Sequence, residues 1–145
     1  MDKYFNDILQ GRFEYVIDKV KLGEIKMTFK SLIRLAYQTE DTQVLKFVQY
    51  LDNQYPNDHE LKYLIAEMIV SAFNYLPDGY KMAFEYAKSA IGLNVNDTSY
   101  KEFILLFYNI PDKLLSREEA EKYASEVLKV EPNNKAAKLV FDLAS

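Results

Sequence analysis

Acid–base or metal chemistry in this chain would have to begin at His59, its only imidazole, which stands between Asp58 and Glu60. A metal site needs further ligands at helical spacing, and neither an H-E-x-x-H pattern nor a cysteine accompanies it. His59 is therefore read as a surface residue in the first turn of a helix. The acidic pair Glu118-Glu119 belongs to a capping box with Ser116, which accounts for it without catalysis. Four glycines are spread over the whole chain, so no phosphate-cradling loop is present. An enzyme needs a nucleophile, base or metal in a cluster. The expectation is a non-enzyme with no metal, cofactor or small-molecule substrate.

Patterned polarity does occur elsewhere. Glu60, Tyr63, Glu67, Ser71 and Asn74 recur at steps of three and four, one line along a helix. The rest of that helix is apolar: Leu61, Leu64, Ile65, Ala66, Met68, Ile69, Val70, Ala72 and Phe73. Ser99, Glu102, Leu106 and Asn109 form an equivalent line farther on. These lines either solvate the exposed face of a packed helix or line a protein-binding surface. In the second case Glu60, Glu67 and Glu102 favour a basic ligand. Tyrosine pairs apolar area with a polar tip and is enriched at interfaces. Of the twelve tyrosines, Tyr63 is placed first in such a site, most others serving packing between helices.

The elements that must carry these residues are helical almost throughout. Ile25, Phe29, Leu32, Ile33 and Ala36 mark one stripe, and Val44, Val48 and Leu51 the next. Further helical segments are expected over 58–75, 79–93, 97–110, 116–130 and 133–144. Two shorter pieces, 2–10 and 12–22, are divided by Gly11 and closed by Gly23. Asn57 is expected to cap the helix at 58, and Ser116 the helix that follows it. Pro77-Asp78 and Pro111-Asp112 fall between helices, where a missing N–H costs nothing.

The chain also resembles itself. Ala83, Ala87, Ala90 and Ile91 lead into Val95-Asn96-Asp97, and 37 residues later Ala120, Ala124, Val127 and Leu128 lead into Pro132-Asn133-Asn134. Thirty-nine residues earlier stand Val44, Val48 and Leu51, then Pro56-Asn57-Asp58. Such a period marks a helical solenoid. Small residues on the second helix of each unit, with a proline-containing turn into the next, resemble the tetratricopeptide repeat (TPR) family over residues 24–144. The sequence departs from that pattern in having no tryptophan and longer loops at Leu76-Pro77-Asp78-Gly79 and Ile110 to Leu115.

The expected architecture is an all-α, TPR-like solenoid of antiparallel hairpins in one domain, 1–145. It comprises an N-terminal helical segment (1–23), three degenerate repeats (24–57, 58–96, 97–132) and a capping helix (133–145). The resemblance implies that the two polar lines face a concave groove. Some TPR proteins clamp a chaperone's terminal carboxylate with Lys and Asn; Glu and Tyr in the corresponding line here disfavour that subclass.

A hydrophobic fraction of 49% exceeds what disordered chains carry. The net charge of −4 comes with no basic cluster, against a nucleic-acid partner. No apolar run approaches a membrane span, and the first residues lack the pattern of a cleavable signal. A cysteine-free chain fits a reducing cytoplasm. The specific expectation is an immunity protein: a small acidic chain, consisting of the binding domain alone, that blocks a secreted bacterial toxin such as a basic nuclease domain. Its richness in Lys, Asn, Ile and Tyr is typical of AT-rich bacterial genomes. The rival expectation is a cytoplasmic TPR-type adaptor or chaperone that binds an extended peptide.

Overall fold

In the computed structural model, which describes residues 1–144, a 3-10 turn at Asp2–Tyr4 is followed by α-helices. These are Phe5–Leu9 (α1), Phe13–Lys19 (α2), Leu22–Met27 (α3), Phe29–Thr39 (α4), Gln43–Gln54 (α5) and His59–Ala72 (α6). Then come Gly79–Leu93 (α7), Thr98–Ile104 (α8), Leu106–Asn109 (α9), Arg117–Val130 (α10) and Lys135–Ala144 (α11). No strand occurs among the described residues. The all-α expectation is met.

The recurring turn motif is a recurring hydrogen-bonded structure. Asp58, Asp97 and Asn134 each offer a side-chain oxygen to the amide three residues on, at Leu61 (2.9 Å), Tyr100 (3.2 Å) and Ala137 (3.0 Å). Each of the three also donates its own N–H to the carbonyl three residues back, at Tyr55, Asn94 and Glu131. Those three residues end the preceding helices in closely similar conformations, with φ/ψ of −131/63, −145/81 and −126/84°. The cap next to Pro56 is thus Asp58. Asn57 precedes it and is exposed, because the chain leaves the extended region one residue later than expected. Ser116 caps α10 as expected, accepting from the Glu119 amide at 3.1 Å while its hydroxyl meets the Glu119 carboxylate.

Several boundaries differ from expectation. Gly11, at φ +80°, ends α1 as a left-handed glycine does. Gly23 lies inside α3 and ends nothing; α2 has already stopped at Lys19, where Val20 turns extended. α3 and α4 form one bent rod. At the bend the Thr28 hydroxyl donates back to the Glu24 and Ile25 carbonyls, a contact that loosens a helix locally. α6 stops at Ala72, so Asn74 of the polar line lies in a turn, its side chain on the Val70 carbonyl. The segment over 97–110 divides at Leu105, whose N–H bonds Glu102 three residues back in a tightened turn.

The most extensive packing joins α6 to α7, followed by α10 with α11 and with α8, and α4 packs on α6 more than on α5. α5 also meets α6, and α7 meets α8. The core holds Phe29, Phe47, Phe73 and Phe107 with Ile65, Met68 and Ile69. Small residues mark the close approaches: Ala83, Ala87 and Ala90 of α7, and Ala120 and Ala124 of α10, are all buried.

Two outcomes follow from this packing. Ala87, 2% exposed, has no room for a longer side chain or an unpaired charge, so Ala87→Glu should lose at least about 1–3 kcal/mol from overpacking alone, with the buried charge adding to it. An unchanged melting temperature would contradict the packing. The glycines of α7 should behave oppositely to each other. A Cβ at Gly79 would sit 2.7 Å from the Phe73 carbonyl oxygen, whereas one at Gly92 meets nothing within 4 Å. Gly79→Ala should lower stability, and Gly92→Ala should raise it by about 0.5–1 kcal/mol in denaturant titration.

Candidate functional site

A ladder of rings joins α6 to α8. Tyr63 stacks on Tyr100 with centroids 4.7 Å apart and meets Phe103 edge-on at 5.3 Å. Phe103 meets Phe107, and Phe107 meets Phe84 of α7, so the ladder runs from the surface into the core. Such pairs contribute about 0.5–1.5 kcal/mol beyond the area they bury. Tyr63 is half-buried: one part packs between helix pairs, the other lines the surface.

Burial governs the polar tips of this ladder. Burial, reinforced by Asp97, Glu60 and Asp58 nearby, pushes the Tyr100 hydroxyl up to about 12. Burial pushes Tyr63 higher still, helped by the negative charge of the Glu67 carboxylate one turn on. Both phenols therefore stay protonated at neutral pH. Tyr100 Oη and His59 Nδ1 are hydrogen-bonded at 2.7 Å, so His59 is half-buried and partnered instead of standing free at a helix start.

Two adjoining clefts open beside the ladder and share Tyr63 and Ser99 in their walls. The first, about 540 Å³, lies between α3, α6 and α8 and is lined by Gly23, Lys26, Met27, Glu60, Leu64, Asp97 and Tyr100 as well. Lys26 reaches over from α3 to both Asp58 (3.0 Å) and Glu60 (3.1 Å). The second, about 530 Å³, follows α8 and α9 to α11 and adds Glu102, Phe103, Leu105, Leu106, Asn109 and Ala136. Together they form a trough with an apolar floor. Ser99 to Asn109 spans roughly 15 Å of helix.

Of the residues singled out in sequence, Glu60, Tyr63, Glu102, Leu106 and Asn109 all line this trough. Glu67 stands one turn on from Tyr63, and its charge acts on the Tyr63 hydroxyl. Ser71 lies apart, in a separate depression of about 260 Å³ with Tyr37, Glu40, Asn74 and Tyr75. Sequence reasoning missed Lys26 and Met27, which lie between Ile25 and Phe29 but off the stripe those residues mark, and Ala136 of α11. Met27 was detectable as an apolar residue off the stripe of Ile25 and Phe29; it is 87% exposed. Nothing in sequence signalled the reach of Lys26 across 32 residues.

Among the described residues no group of three His, Cys, Asp or Glu side chains could hold a metal ion, and no helix is long and apolar enough to cross a membrane. No protein-family model matches the chain, and no curated protein matches it.

The Lys26 clasp makes stability depend on pH. Burial by itself would raise the Asp58 carboxyl, but the Leu61 amide and the Lys26 ammonium outweigh it and hold the group below the ordinary aspartate range. A lowered pKa contributes stability that is full above the unfolded value and is lost as pH falls through the folded one. Asp58→Asn keeps a capping side chain and removes the charge. It should cost about 1 kcal/mol near neutral pH, with the gap from wild type closing in acid. A gap in unfolding free energy that stayed constant from neutral to strongly acidic pH would refute the clasp.

Proposed function

We propose that this chain is a protein-binding module, a TPR-like solenoid of helix pairs, and that it neutralises a secreted bacterial toxin by binding a basic domain of it. The solenoid part is supported by the turn that recurs at Asp58, Asp97 and Asn134 and by the sequential packing of helix pairs. The choice of a basic partner rests on the trough, above all on Glu102. That carboxylate is partly exposed and makes no hydrogen bond or ion pair within the described residues, on a wall otherwise uncharged. A net charge of −4 adds a long-range attraction for a cationic surface.

Charges at the edge of an interface act chiefly on the rate of encounter. An adaptor reading, in which the trough takes an extended peptide of another cellular protein, is favoured by the same elongated shape. The two part on the identity of the partner. The decisive experiment looks for a secreted toxin encoded beside the gene and measures association of the purified chain with its toxin domain, at low and moderate salt. Tight, salt-sensitive binding that abolishes toxin activity is expected. Glu102→Lys should slow association roughly tenfold with little change in melting temperature. A neighbouring toxin that neither binds nor loses activity would remove the immunity reading.

A further inference from the structure

The two clefts differ in how their charges are committed, and the difference says what each accepts. At the α3 end Lys26 bridges Glu60 and Asp58, and Asp97 caps α8 through the Tyr100 amide. A cation arriving there would compete with the Lys26 ammonium for the same carboxylates. At the α8–α11 end the lining contains one charged side chain, Glu102, which has no partner among the described residues. No buried side-chain oxygen there is left without a partner, so the Glu102 carboxylate faces solvent. Around it stand Phe103, Leu105, Leu106 and Ala136.

We propose that the cleft between α8, α9 and α11 is the docking site for an extended, Arg-bearing segment of the partner, whose arginine pairs with Glu102 while an adjacent aliphatic side chain seats against Leu106 and Ala136. This inference rests on the protein-binding reading and narrows it to one segment chemistry. Arginine fits best because a planar guanidinium can hold a carboxylate through two parallel hydrogen bonds while its stem lies on apolar surface. An extended strand advances about 3.3 Å per residue, so roughly five residues cross the trough. At about 530 Å³ the cleft has the size of sites that enclose side chains.

The test titrates the isotopically labelled full chain with a short capped peptide of alternating Arg and Leu, read by amide chemical shifts. Control peptides carry Glu for Arg, or Ser for Leu. The expected shifts gather at Ser99, Glu102, Leu106 and Ala136, with neither control producing them. Glu102→Gln should weaken binding roughly tenfold, and its unperturbed amides elsewhere show that it is folded. Absence of shifts, shifts centred on Lys26 and Met27, or a Glu102→Gln variant with wild-type affinity would each overturn the inference. A toxin domain that binds wild type and Glu102→Gln alike, beside a peptide that fails, overturns this site and leaves neutralisation standing. Peptide binding at Glu102 by a chain that binds no toxin keeps the site and removes the toxin reading.

Discussion

Three side-chain caps govern how this molecule is assembled. Asp58, Asp97 and Asn134 each satisfy an amide that a helix start would otherwise leave open, a contribution of about 1 kcal/mol apiece. Their geometric effect is larger than their energy. Each cap forces the chain from a finished helix into the next through one tight turn, with backbone angles that barely vary. The direction of α6, α8 and α11 relative to the helices before them is therefore set by the same local structure three times. Residues from the starts of these three helices, Glu60 and Tyr63, Ser99 and Glu102, and Ala136, line the trough.

The ring ladder meets two demands at once. Tyr63 and Tyr100 hold α6 against α8, and the same rings give the trough its wall. The Tyr100 hydroxyl is held by His59 and its ring by the stack on Tyr63, so this part of the wall is ordered before a partner arrives. Side chains already ordered in the free protein lose less entropy when a partner arrives. The lone histidine thus has a structural task, holding a tyrosine in place.

Much of this was legible in the sequence, and the exceptions have a common cause. The helix pairs, the buried alanines of α7 and α10 and the recurrence of the turn follow from periodicity and cap chemistry, which act within a few residues. The cap at 58 was misplaced by one residue because Asn57 and Asp58 are both good caps, and only the backbone path decides between them. Gly23 suggested a stop, but a glycine in open space interrupts nothing. Glu60 and Glu102 looked alike in the polar lines. What separates them is Lys26, remote in sequence, and such pairings between distant residues leave no mark on local pattern.

Because the principal packings join helices that are close neighbours along the chain, native contacts here close short loops. Short loops form quickly, so this topology belongs with fast-folding helical proteins and not with those that must search for distant strand partners. It also distributes resistance to opening unevenly. The α6–α7 pair, which meets α4 and α5 as well as α8, is held by several neighbours, while α11 packs chiefly on α10. Amide exchange should accordingly be slowest in the middle and quicken outward. The α8–α11 cleft sits between the well-held centre and the looser end, where one wall can adjust to what enters.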